Sequence, residues 1–361
     1  MKNKQIEEIK ELGQTIWLDH SNSEIISSGH LQKYIDDGIS GVAANHIIFS
    51  DLHVGSADNN ERIKELSKQQ KNNEEIFLSL AINDIKIAAD QLIQVYERSG
   101  GTDGFVSIEI TPHLAHDADG TIQQARTLWK ILNRRNIMLK IPATVEGVTA
   151  IRKCISEGMN INCTLLFGLP RYKEVIEAYI SGLEDRIKAK KPIDKVVSVA
   201  SFNIDRIDAL TESLLEARGM LELKGQLGIS SAKKALEMYR TVFGSELFMN
   251  LEAKGAKPQR LLWKRTSEVA PSFADVKYAE VLLAKETINA VTPDVLGALN
   301  GHGFIATDLD DNLEHANAVL AELNEKGIDI NMITRKLEYD TVKTLNRGHN
   351  EKLGEIERAR S

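Results

Sequence analysis

Short apolar runs recur along the chain, each followed by a longer stretch in which apolar residues return every three or four positions. The runs lie at 15–19 (TIWLD), 41–49 (GVAANHIIF), 105–110 (FVSIEI), 137–142 (IMLKIP), 161–167 (INCTLLF), 196–201 (VVSVAS), 260–263 (RLLW) and 287–291 (TINAV). Short and rich in Val, Ile and Leu, they fit strands buried on both faces. The stretches between them predict helices over 74–98, 121–133, 146–157, 171–190 and 204–218, with two more at 230–242 and 245–254 before the seventh strand. The first of these helices stops at Ser99-Gly100-Gly101. Beyond residue 308 the chain reads as helix alone, over 312–326 and 331–360. The many charges there predict a solvated face on helices packed against the body. Eight parallel-type strands alternating with helices predict an α/β fold, a (β/α)8 barrel with extra C-terminal helices from about 308, in preference to a doubly wound sheet. Seven prolines and no Gly/Ser-rich linker mark no boundary, so residues 1–361 are expected to form one domain.

Composition narrows the function classes. With 42% hydrophobic and 27% charged residues, the chain has an ordinary globular composition. A net charge of −7 gives no electrostatic reason for a nucleic-acid partner. No apolar run approaches the ~20 residues of a membrane span. The stretch MKNKQIEEIKELG lacks the apolar core of a signal peptide, so a cytoplasmic protein is expected. Two cysteines cannot form a disulfide framework and suit a reducing compartment. Cys163 alternates away from Asn162 and Thr164, and Cys154 sits mid-helix among apolar residues, so both read as structural. The Rossmann fingerprint, the P-loop, the HExxH helix and paired CxxC motifs are absent, which disfavours nucleotide, zinc and nicotinamide chemistry.

In a barrel, chemistry gathers at the C-terminal ends of the strands, so the polar residues that interrupt the apolar runs matter most. Lys140, inside Ile137-Met138-Leu139-Lys140-Ile141-Pro142, is the strongest anomaly. A free lysine with a pKa of ~10.4 is neutral in only about 0.04% of molecules at pH 7, whereas burial and nearby cations lower that value. A neutral buried lysine attacks carbonyls and forms a Schiff base. The plainer reading, favoured on the strand alone, is a lysine that snorkels or pairs with a carboxylate. Glu109 shares a strand face with Ser107, and is either a general acid/base or a salt-bridge partner. Asp19 ends its run, Asn162 and Thr164 share one face, Ser201 ends another run with Arg206 five residues on, and Asn45 interrupts the second. Each alone fits a cap, a turn or a satisfied core group. Together they describe a polar mouth on an apolar barrel.

These motifs, TIWLD, GFVSIEITPHLAHD, IMLKIPAT, GMNINCTLLFG, VSVASF and KPQRLLW followed by DVKY, resemble the transaldolase family over about residues 12–300, in consistent order. The resemblance implies the same barrel, Schiff-base catalysis without a metal or organic cofactor, and transfer of a three-carbon dihydroxyacetone unit between sugar phosphates. It makes Lys140 the Schiff-base lysine, Glu109 and Thr164 the holders of a catalytic water, and Asp19 the acid/base for C3–C4 cleavage. Asn45, Asn162 and Ser201 would bind donor hydroxyls beside Ser107, and Arg206 the phosphate. Family members suggest a monomer or homodimer. The chain departs from the pattern at Ala43-Ala44-Asn45-His46, at Asn203 and at Lys264-Arg265-Thr266-Ser267. His46 is a substrate contact or a core histidine, Asn203 replaces an aromatic wall, and Lys264 or Arg265 is a replacement phosphate cation unless its side chain points outward. Two alternatives stand beside a pentose-phosphate transaldolase. One is a specialised enzyme making or breaking a C–C bond on another carbonyl compound, and the other is a non-catalytic barrel with a binding role.

Overall fold

In the computed structural model, which describes residues 4–19, 25–26, 29–43, 57–264, 277–303, 309 and 311–360, β1 (Thr15–Leu18), β2 (Gly41–Val42), β3 (Val106–Glu109), β4 (Ile137–Pro142), β5 (Ile161–Leu166), β6 (Ser198–Asn203), β7 (Arg260–Lys264) and β8 (Ile288–Val291) pair in parallel, each with the next. β8 returns to β1, with Thr15 opposite Ile288 and Leu18 opposite Val291, and closes the barrel. This is the (β/α)8 architecture that the alternating pattern predicts.

The predicted helices are present as α4 (Asn73–Arg98), α5 (Ala118–Leu132), α6 (Val145–Glu157), α7 (Leu169–Lys188), α8 (Asp205–Ala217), α9 (Leu227–Phe243), α10 (Glu246–Glu252), α13 (Leu313–Glu325) and α14 (Ile330–Arg360). Their starts follow local chemistry. Asn72 and Glu75 form a capping box on α4, each side chain bonding the other's backbone N–H at 2.9 Å. Thr144 caps α6 by accepting from the Gly147 N–H at 3.0 Å. The helices α1 (Lys4–Glu11), α2 (His30–Asp37), α3 (Ala57–Lys68), α11 (Lys277–Val281) and α12 (Pro293–His302) are additions to the predicted set.

β1, β3, β5 and β8 are slightly shorter than expected, and β6 and β7 are shifted or extended. Val196 is not in β6, because its N–H bonds the Ile193 carbonyl in a turn, and β6 instead continues through Asn203. β7 likewise runs one residue further, to Lys264. Of the run 41–49, residues beyond 43 lie outside the described set.

The barrel is narrow where β1 meets β2. A Cβ on Gly41 would stand 2.5 Å from the Trp17 ring, so glycine is what lets that ring lie across β2. Gly41→Ala should therefore destabilise by about 1–3 kcal/mol through overpacking, read as a lower urea midpoint with an unchanged m-value. Two buried layers result. One lies between sheet and helices, and a smaller one inside the barrel includes Trp17, Phe105, Met138, Val199, Leu262 and Ala290. No helix among the described residues is long and apolar enough to cross a membrane.

Candidate active site

The period of two in a strand decides which side chains stand above that inner plug. Asp19, Ser107, Lys140, Ser201 and Lys264 each follow a plug residue by two positions, and Glu109 and Asn203 follow by four. All are buried. They therefore enter the barrel on its C-terminal side, one step beyond the apolar layer, as the interrupted runs of the sequence suggest.

Lys140 is 0% exposed. The register places it between Glu109 of β3 and Asn162 of β5. Beneath it a hydrogen-bonded chain spans three strands. Ser201 Oγ donates to Asn162 Oδ1 at 2.7 Å, and Asn162 Nδ2 donates to Ser107 Oγ at 3.0 Å. These bonds fix the three groups, and the Ser107 hydroxyl hydrogen still points elsewhere, because Ser107 is the acceptor here. β4 ends cleanly behind the lysine. A Cβ on Gly147 would meet the Pro142 carbonyl oxygen at 1.8 Å, so the first turn of α6 packs directly on that strand end.

Asp19 follows β1, its N–H bonded to the Val291 carbonyl at 2.8 Å. Its Oδ1 lies 3.4 Å from Lys264 Nζ. That is longer than a charge-assisted hydrogen bond, and Oδ1 accepts no well-formed hydrogen bond among the described residues. The carboxylate is thus paired in charge while keeping room to accept a hydroxyl. Lys264, whose direction the sequence leaves open, belongs to β7 itself, points inward and pairs with Asp19. The signal was present, since Lys264 follows Leu262 by two.

Burial and neighbouring charge set the acidities. Desolvation, then the nearby Lys264 ammonium, push the Lys140 amine down to about 7, against the opposing pull of Glu109 and Asp19. Desolvation pushes Asp19 up to about 6, opposed by Lys264 and Lys140. An amine and a carboxylate thus stand with acidities near neutrality, where proton exchange is most effective. Cys154 and Cys163 are buried free thiols, both pushed up to about 12 by desolvation, which leaves them inert.

Thr164 follows Asn162 by two on β5 and is buried. The next residue, Leu165, has φ of 58°, and the register with β6 shifts between Cys163 and Leu166. A left-handed leucine costs roughly 1–2 kcal/mol, and such a bulge re-aims the strand end at the site. Asn203, at the end of β6, is 4% exposed, and its Nδ2 has no hydrogen-bond partner among the described residues. Asn45, His46 and Arg265 lie outside the described residues.

Arg206, in the first turn of α8, is half-buried, and its Nη1 donates to Thr341 Oγ1 of α14 at 3.2 Å. α14 runs along the C-terminal rim from the exit of β3 to that of β6. His349 meets Glu74 Oε2 at 2.7 Å, Glu74 Oε1 accepts from Thr111 just beyond β3, and Arg171 of α7 pairs with Glu338 at 3.1 Å. Thr341, Val342 and His349 are buried, so the charged helix packs on the body as expected.

A closed parallel barrel with an amine and two carboxylates drawn together on its C-terminal side has the plan of a barrel enzyme. The chain belongs to the Transaldolase/Fructose-6-phosphate aldolase family, whose pattern matches residues 16–356. Relatives named Transaldolase include one from Thiobacillus denitrificans, 35% identical over 97% of this chain and 98% of that protein, and one from Trichodesmium erythraeum, 38% identical over 90% and 89%. A relative from Nostoc punctiforme, named Transaldolase 2, is 36% identical over 92% and 91%. The expectation of a transaldolase-type transferase is met at the level of the family.

Proposed function

We propose that the protein transfers a dihydroxyacetone unit from a ketose phosphate, sedoheptulose 7-phosphate or fructose 6-phosphate, to an aldose phosphate through a Schiff base on Lys140. The observation that carries this reading is a fully buried lysine on β4, beside Glu109 in the register, whose amine desolvation and the Lys264 ammonium push down to about 7. The free amine attacks the ketose C2 carbonyl, and loss of water leaves an iminium. Asp19 takes the proton of the C4 hydroxyl. The C3–C4 bond breaks, its electron pair enters the iminium, and an enamine stays on Lys140 while the aldose departs. The enamine C3 then attacks the acceptor aldehyde, Asp19 returns the proton, and water hydrolyses the new iminium. Glu109 and Thr164 hold that water and pass its protons. Asn45, Asn162, Ser107 and Ser201 bind the donor hydroxyls, His46 contacts the substrate, Asn203 faces the acceptor, Arg206 takes the phosphate and Arg265 is the replacement phosphate cation.

Borohydride trapping with fructose 6-phosphate, read by peptide mass spectrometry, tests the proposal. A dihydroxyacetone-sized adduct on Lys140 is expected, and a folded protein with an unmodified Lys140 overturns it for this donor. A second reading, an enzyme acting on a different carbonyl compound, is favoured by the Lys264 ammonium inside the barrel. A donor and acceptor screen separates the two, since turnover confined to compounds other than pentose-phosphate sugars selects the second.

Two further outcomes follow from the assigned roles. The reaction starts from a free Lys140 amine and an ionised Asp19. Log kcat/KM should therefore rise with a slope near two below about pH 6, with a slope near one to about pH 7, and then level. A profile flat from about pH 5 to 8 contradicts this. Thr341→Val removes an acceptor that helps orient Arg206. Loss of about 1 kcal/mol should raise KM for phosphorylated substrates about fivefold with kcat little changed, as initial-rate kinetics will show.

A further inference from the structure

The reaction proposed above leaves one buried lysine unused. Lys264 pairs in register with Asn203 of β6 and Ala290 of β8, and Ala290 belongs to the inner plug, so the Lys264 side chain enters the barrel. It is 5% exposed, with its ammonium 3.4 Å from Asp19 Oδ1. Lys140 stands in the same layer, two positions beyond Met138 as Lys264 is two beyond Leu262, and the Lys264 charge acts on it. The charged groups facing the two lysines are Asp19 after β1, Glu109 of β3 and, acting on Asp19, Asp205 at the start of α8. Two ammonium groups drawn together in a water-poor interior repel strongly. The Lys264 ammonium therefore favours the free amine at Lys140, while the Asp19 carboxylate lies against Lys264.

We propose that Lys264 is a positioning residue for Lys140: clamped on Asp19, its ammonium takes the cationic place in the site and reserves Lys140 as the free amine that attacks the carbonyl. This rests on the Schiff-base reading of Lys140. It also bears on cleavage. When the C3–C4 electron pair moves into the iminium, the nitrogen beside Lys264 loses its positive charge, and a fixed neighbouring cation favours that neutral enamine.

The test needs no turnover. Reductive methylation with 13C-formaldehyde labels the amines, and the Lys140 methyl resonance, identified by its absence in Lys140→Met, is titrated by NMR. The midpoint is expected near pH 7 in the unaltered protein and in Lys264→Arg. In Lys264→Met it should rise by a pH unit or more, leaving at least about fivefold less free amine at pH 7. Lys264→Gln, which still donates to Asp19, carries the same expectation if the methionine variant does not fold. An unchanged midpoint in the neutral variants, or one near 10 in the unaltered protein, overturns the proposal. Borohydride trapping fails separately. A protein that forms no adduct but shows the shifted midpoint refutes the Schiff-base reading and leaves the lysine coupling standing.

Discussion

Replacing Lys140 by methionine is expected to lower kcat/KM by at least roughly 10^4-fold, because no other group can take over a covalent step once its nucleophile is gone. The barrel should nevertheless fold, and fold more firmly. Lys140 is fully buried, and its amine is pushed from 10.5 to about 7. Between those two values the native state holds fewer protons than the unfolded chain, so native stability climbs as pH rises through that window. Below about 7 the buried charge weighs on the fold in full. Methionine fills the same space without a charge, so the variant should melt higher than the parent at about pH 6, with the gap closing toward pH 10. Thermal melts at the two pH values, together with the transfer assay, check both halves. Turnover above a few per cent of the parent level would place the nucleophile elsewhere.

Asp19→Asn is the second large effect, and it acts on two levels. Loss of the group that removes the C4 hydroxyl proton should slow cleavage by roughly 10^2–10^4-fold. The same change leaves the Lys264 ammonium, 4% exposed in its side chain, without its carboxylate. Breaking one partner of a buried pair costs about 3–5 kcal/mol. Adding Lys264→Met to Asp19→Asn removes the stranded charge. The double variant should regain much of that stability and none of the cleavage rate. Denaturant titrations and single-turnover cleavage rates separate the two levels. If stability does not recover in the double variant, the ion pair is not what Asp19 contributes to the fold.

The architecture was legible because each strand is buried on both faces and each inward polar residue breaks an otherwise apolar run. β4 is the clearest case, with predicted and observed limits identical at Ile137–Pro142, and Lys140 is its single charge. The helices that escaped prediction are short or strongly polar. α1 buries only Ile6 and Ile9 among its charges, α11 has five residues, and α3 is polar along most of its length. Tertiary packing, rather than intrinsic pattern, decides such segments. The direction of Lys264 stays open in the sequence because the apolar run ends at Trp263; the one local signal is its spacing of two from Leu262. The partner of Arg206 was beyond reach for another reason. Thr341 lies 135 residues further along the chain, and no spacing rule connects a strand end to a helix at that distance.

That separation has a consequence for synthesis. At translation rates of about 5–20 residues per second, Arg206 emerges roughly 7–27 seconds before a hydroxyl that helps orient it. Glu338 and His349, which tie the rim to α7 and α4, follow their partners by 167 and 275 residues, so those ties wait longer still. Late in that interval, once β8 has emerged, a nascent chain can hold the nucleophile, its carboxylates and every strand of the barrel while Arg206 still lacks its bond to Thr341. The ribosome therefore delivers chemistry before it delivers the orientation of Arg206, and a chain stalled short of α14 would carry a reactive amine in a barrel whose rim is unfinished.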